Sequence, residues 1–181
     1  GLNCPLITCA RGSDIRTRLP ASNTWRHLEG LLQRRAYGRS AGIAAACNDL
    51  RSYAIARGID GRKLFISHSA FDFDRLDGLA DELADIPREP ATLLTVTRLT
   101  QQKRVDVLLR SVALAAGDLP DLRFVIVGDG PERSRLEALA RALHIADRVR
   151  FTGSLQPFSV DLYGEYRRAT AFALTSVGEG L

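Results

Sequence analysis

Two short apolar runs, separated by one amphipathic segment of helix length, constrain this chain more than any other feature. Leu93 to Val96 has the length of a strand, and Phe124 to Val127 is a second run that stops at Gly128-Asp129-Gly130. Between them Val105, Leu108, Leu109, Val112, Ala113 and Ala116 recur at helical spacing and mark one helix face. Strands that are apolar at every residue are buried on both faces, and such strands belong to parallel sheets joined by crossover helices. Pro131 suits the first position of a following helix, where its missing N–H has no partner to lose. The expectation is a strand–helix–strand–turn–helix unit of a parallel α/β sheet.

The loop after the first strand of that unit carries the candidate chemistry, because open α/β sheets place ligands at the carboxyl ends of their strands. Arg98 and Lys103 bracket the polar turn Thr100-Gln101-Gln102. Only two lysines, Lys63 and Lys103, stand among 25 basic residues, so an ammonium here departs from the chain's use of arginine. A planar guanidinium and a point charge on one loop suit a diphosphate. Two surface charges on a solvated loop have the same spacing, and the residues alone leave both readings open.

The same stretch resembles the nucleotide-sugar-binding domain of the GT-B glycosyltransferases, specifically glycosyltransferase family 4, the group 1 transferases. The residues that carry the resemblance are Arg98-Leu99 and Lys103, the run from Val125 to Glu132, Arg148 to Gly153, and Glu179-Gly180-Leu181. It covers nearly all of residues 91–181 and reaches more loosely back to about Leu6. The fold it implies is α/β of GT-B type, with two Rossmann-like parallel-sheet domains, both incomplete in this chain. Residues 1–72 would be the end of the N-terminal, acceptor-side domain, 73–90 the linker, and 91–181 the first part of the donor-binding domain. At the junction Ser69-Ala70-Phe71-Asp72 stands where the family usually has Asn-Gly-Val-Asp, and Arg11 precedes Gly12-Ser13-Asp14 where the family often has His.

The activity implied is retaining transfer of a sugar from a nucleoside-diphosphate sugar to an acceptor, in polysaccharide or glycolipid synthesis. Arg98 and Lys103 would stabilise charge on the departing nucleoside diphosphate, and Glu179 would hold the donor sugar. Gly128 and the backbone of Gly153, Ser154 and Leu155 would line the nucleotide, while Gly180 and Leu181 would open a phosphate-facing helix. The resemblance implies no metal and no cofactor beyond the donor itself. The family's second glutamate, eight residues beyond Glu179, has no counterpart in the sequence. Two other readings share parts of this pattern: a GT-B nucleotide-sugar epimerase and a non-catalytic nucleotide-sugar-binding fragment. A dinucleotide-binding Rossmann module fits poorly, because Arg133 occupies the third glycine position of GxGxxG.

Composition sets the remaining bounds. Apolar content of 45% and charge of 25% are those of an ordinary globular protein. No apolar run approaches the ~20 residues of a membrane helix, and no signal-peptide pattern opens the chain. Cys4, Cys9 and Cys47 lack a CxxC pairing, which suggests neither a disulfide framework nor a zinc site. A reducing cytoplasm is the expected compartment. The absence of methionine and the end at Gly180-Leu181 suggest an internal piece of a longer protein, incomplete for turnover alone. Residues 1–70 carry 11 basic and 4 acidic side chains, a net of +7, against 14 and 17, a net of −3, in residues 71–181. That asymmetry fits either a bias toward arginine or a surface for anionic partners. The second reading gives a lipid-linked or other anionic acceptor and peripheral contact with the inner face of a membrane, with no nucleic acid.

Further elements follow from local pattern. Strands are expected at Pro5 to Ala10, Gly42 to Cys47, Leu64 to Ile66, Val149 to Thr152 and Ala171 to Leu174. Trp25, Leu28, Leu32 and Ala36 mark one helix, with cap candidates in Ser22-Asn23-Thr24, and Asn48 or Asp49 caps another that stops at Gly58. Leu136, Leu139, Ala140 and Leu143 form a helix face followed by His144 as a C-terminal cap, and Val160, Tyr163 and Tyr166 suggest a last short helix. His68 reads as a structural residue.

Overall fold

The computed structural model describes residues 7–10, 35–68 and 71–177. Of the helix expected from Trp25 to Ala36, residues 25–34 and the caps lie outside the described residues, as do Arg11, Asp14, Ser69 and Ala70, while residues 35–39 are helical. Contacts divide the chain between Phe71 and Asp72 into two units.

The first unit holds three parallel strands, β1 (Ile7–Ala10), β2 (Gly42–Ala45) and β3 (Leu64–Ile66), in the order β1-β2-β3. Helix α1 (Asn48–Ala56) crosses from β2 to β3. Ile43, Ala45, Leu50, Ala54, Leu64 and Tyr37 form its core. The position before α1 is Cys47, which makes no side-chain capping bond, so Asn48 and Asp49 are helical residues and not the expected cap. Gly58 does end the helix: at φ 85° it lets its own N–H reach Ile55 O and the Ile59 N–H reach Ala54 O. His68 Nδ1 lies 3.1 Å from Ala46 O, a structural contact.

The second unit opens with two short helices, α2 (Phe73–Asp77) and α3 (Ala80–Ala84). Asp72 caps α2 by accepting the Arg75 N–H, and Leu83 is buried. Four parallel strands follow: β4 (Thr92–Val96), β5 (Arg123–Val127), β6 (Val149–Gly153) and β7 (Ala171–Phe172). Their order is β6-β5-β4-β7, so the chain adds strands on one side of β4 and then returns to its other side. Helices α4 (Val105–Ala115) and α5 (Arg133–Ala142) cover one face, where Leu99, Leu108, Leu109, Val112, Phe124, Ile126 and Leu136 are buried together. Helix α6 (Val160–Arg168) covers the other through Leu162, against Leu94, Val125 and Val127. Burial on both faces is why Phe124 to Val127 is apolar without alternation.

Two local expectations are corrected and a third is made specific. Pro131 lies in a turn, and α5 begins two residues later at Arg133, because the Glu132 N–H is drawn to Leu99 O at 3.0 Å. The last strand is two residues long, ending at Phe172 rather than Leu174. His144 caps α5 through its backbone: at φ 56° it bonds Arg141 O, and Ile145 N–H reaches Ala140 O.

Beyond the strand ends the β4–β5 pairing continues into loop. Thr97 N–H donates to Val127 O and Leu99 N–H to Asp129 O, each at 2.9 Å. The backbones approach so closely that a Cβ on Gly128 would stand 1.9 Å from Thr97 O, and one on Gly130 2.4 Å from Leu99 O. We expect Gly128→Ala and Gly130→Ala each to cost roughly 2–5 kcal/mol through overpacking and, at Gly128, backbone strain. Gly117→Ala, with open space around it, is the control. Chemical denaturation followed by circular dichroism checks this; equal stability of the three variants would show that the loops separate freely.

Candidate functional site

The place where strand order reverses in an open parallel sheet leaves a crevice at the strands' carboxyl ends, since the loops on either side run apart. Here that place is β4, between β5 and β7. Arg98 lies on the loop leaving β4, between half-buried Thr97 and Leu99, which is fully buried. Leu99 anchors the loop from below, so the exposed Arg98 side chain projects from a fixed backbone. Among the described residues the Arg98 guanidinium has no carboxylate partner. Lys103 ends a 3₁₀ turn, Gln101–Lys103, and is half-buried. The two cations therefore sit on one loop at the switch point.

Gly128 and Gly153 adjoin this loop. The Gly128 N–H donates to Gly153 O at 2.8 Å, and Gly153 takes φ 79°, which suits glycine. The register between β5 and β6 shifts here: Ile126 pairs with Phe151 but Val127 with Gly153, leaving Thr152 as the extra residue of a bulge. The Thr152 hydroxyl donates toward Gly153 O at 2.9 Å. Ser154 is exposed, whereas the Leu155 side chain packs against Leu94, Val125 and Val127. Glu179, Gly180 and Leu181 lie outside the described residues.

Sequence reasoning passed over two groups. Arg133, noted only as the break in a glycine pattern, opens α5 with Nε 2.9 Å from Glu137 and a terminal nitrogen 3.5 Å from Asp129. The hydrogen bond to Glu137, aided by Asp129, holds its guanidinium above the usual arginine range. A Cβ on Gly153 would lie 3.4 Å from the same guanidinium, so Arg133 borders the glycine pair as a neutralised cation. Its signal was helical spacing to Asp129 and Glu137, four residues away on either side. The second group is Thr175, which bonds the backbone of the Arg98–Lys103 loop and left no mark in the sequence. Among the described residues no cluster of His, Cys, Asp and Glu could hold a metal ion. No helix among them is long and apolar enough to cross a membrane.

Comparison with known proteins bears on the family and the fold. The family model for glycosyl transferases group 1 matches residues 81–181. The chain is 35% identical over 101 residues to the GtfA subunit of a UDP-N-acetylglucosamine–peptide N-acetylglucosaminyltransferase from Streptococcus parasanguinis, covering 52% of this chain and 20% of the relative. It is 33% identical over 88 residues to the alpha-monoglucosyldiacylglycerol synthase of Streptococcus pneumoniae, covering 49% and 20%. The chain thus spans about a fifth of the length of these relatives. Among solved structures it resembles WaaG, a glycosyltransferase of lipopolysaccharide biosynthesis, with TM-score 0.73 and 17% identity over 97% of this chain and 52% of that one. Anabaena HepE, solved with UDP-glucose, gives TM-score 0.72 at 16% identity over 97% and 48%. The fold is the GT-B α/β type expected from the sequence.

One buried group beneath the site has a measurable cost. Thr95, in β4, is fully buried, and its hydroxyl has no hydrogen-bond partner among the described residues. Thr95→Val keeps the shape and removes the orphan donor, so the second unit should gain roughly 0.5–1.5 kcal/mol. Urea denaturation reads the change; a loss of stability would reveal a partner for the hydroxyl.

Proposed function

This chain belongs to the group 1 glycosyl transferases, and on that premise we propose that it supplies the donor-binding part of an enzyme that moves a sugar from a nucleoside-diphosphate sugar to an acceptor. The observation that carries the reading is Arg98, exposed and without a carboxylate partner among the described residues, on a loop pinned at the switch point beside Lys103. An arginine with no protein anion, held by a buried neighbour, suits a ligand anion. The leaving group of such a transfer is a nucleoside diphosphate, whose charge grows as the glycosidic bond to phosphate breaks. Fixed cations at that point act where charge develops and need no reorganisation during the step.

In this proposal Arg98 and Lys103 bind the diphosphate and the peptide groups of Gly153, Ser154 and Leu155 line the base. Gly128 lets the loop approach. Glu179 accepts hydrogen bonds from the donor sugar, and Gly180 and Leu181 begin a helix whose N–H groups meet phosphate. Two cations neutralise the leaving group without a metal, and the sugar is transferred with retention of configuration. Residues 1–72 belong to the acceptor-side domain, and 73–90 form the crossover to the donor side. Uridine is the proposed base, because UDP is named for the GtfA relative and for the HepE structure. The synthase relative is named for a glycolipid. A glycolipid or polysaccharide precursor, lipid-linked or otherwise anionic, is the proposed acceptor, met at the inner face of a membrane.

Arg98→Ala and Lys103→Ala should each weaken UDP binding by about 1.5–3 kcal/mol, the scale of a charge-assisted hydrogen bond. Calorimetry on the folded variants checks this; wild-type affinity in both would remove the assignment. The basic excess of residues 1–70 should draw the protein to anionic vesicles at low salt, by about 1 kcal/mol per well-placed cation, fading as salt rises. Flotation with equal recovery on neutral and anionic vesicles would exclude the membrane reading.

A further inference from the structure

The segment after β7 is tied to the cation loop by two bonds from neighbouring residues. The Thr175 hydroxyl donates to Arg104 O at 2.8 Å and to Lys103 O at 3.1 Å, one hydrogen shared between consecutive carbonyls. Two residues on, the Val177 N–H donates to Gln102 O at 2.9 Å. The residues joined in this way are about 70 apart in the chain, so nothing local brings them together.

The backbone that Thr175 grips is one that needs gripping. Arg104 takes φ 50° and ψ 38°, the left-handed region that crowds a Cβ against the chain. It directly precedes α4, whose start has no side-chain cap. Left-handed residues of this kind persist when surrounding contacts over-determine them. A hydroxyl aimed at the carbonyls before and after the Arg104 Cα does that. It fixes where the 3₁₀ turn ends, and therefore where the Lys103 side chain leaves the backbone.

We propose that Thr175 is a positioning residue: its hydroxyl holds the turn carrying Lys103 in its left-handed exit and couples that turn to the segment after β7. Donor phosphates would then meet a turn held from across the sheet. The mechanical half of this inference stands on the hydrogen bonds alone. The ligand half rests on the diphosphate reading given above.

The test uses the 181-residue chain with Thr175→Val, which keeps volume but loses the donor, and Thr175→Ser, which keeps the donor. Hydrogen exchange is followed at the amides of residues 101–107 and, as a control, of 123–127 in β5. Titrations with UDP and with uridine read the ligand side. In Thr175→Val the amides of the turn should exchange about tenfold faster while those of β5 keep their rates. UDP affinity should fall about tenfold with uridine affinity unchanged, since the hydroxyl acts through the phosphate side of the site. Thr175→Ser should match the wild type in both. Wild-type exchange across 101–107 in Thr175→Val overturns the mechanical half. Equal losses for UDP and uridine overturn the positioning role, because they signal general loosening. Should Thr175→Val also lose protection in β5, Thr175→Ala carries the same comparison. A wild-type chain that binds no UDP removes the diphosphate reading, and the exchange measurement then decides the mechanical half by itself.

Discussion

The closeness of two backbones, Thr97 to Leu99 against Gly128 to Gly130, is the constraint on which the carboxyl end of the second sheet depends. Where ordinary strands would diverge at the end of their pairing, these stay bonded for three more residues, through Thr97 to Val127, Leu99 to Asp129 and Glu132 to Leu99. The approach excludes any side chain on the two glycines. Leu99, driven into the core between exposed Arg98 and half-buried Thr100, completes the fixture from below. An exposed cation on such a loop loses little backbone freedom when it meets an anion, which is the energetic meaning of preorganisation.

That fixture also changes how Gly128 is understood. A glycine in a nucleotide-lining motif invites the view that it makes room for ligand. In this fold its missing Cβ first makes room for Thr97 O. Gly153 differs, since space is available there and only its left-handed backbone selects for glycine. The bulge at Thr152 brings the Gly153 carbonyl to the Gly128 N–H, so the second glycine is placed by the first. Protein architecture thus accounts for both glycines, and whatever they give a ligand is an addition to that role.

The sequence disclosed those parts of the fold that rest on periodic burial. Val105, Leu108, Leu109 and Val112, chosen by spacing, are all buried, and Phe124 to Val127 is a central strand. It was less informative where one hydrogen bond overrides a positional preference. Pro131 is displaced from the helix start by a bond between Glu132 and Leu99, a contact across the sheet that no local pattern encodes. Cys47 precedes α1 although Asn48 and Asp49 are better caps, because the chain turns into the helix one residue earlier. At the site, Lys103 stood out by residue type and Arg98 by its place at a strand end, whereas Thr175 could not, because one hydroxyl reaching a distant carbonyl leaves no periodic trace. Glu179 was legible only through resemblance.

The pairing of β4 with β7 has a consequence for how this molecule is made. Thr92 and Thr170, which meet at the base of that pairing, are 78 residues apart, whereas β4 and β5 are neighbours through a single helix. Contacts of long sequence separation form late, after closer ones have lowered the entropy of closing the loop. During synthesis β4, β5 and β6 leave the ribosome before β7 does, and they can condense around α4 and α5 while one side of β4 is still bare. The crevice at the switch point therefore gains its second wall in a late step of folding, and a nascent chain has its hydrophobic core before it has a complete pocket.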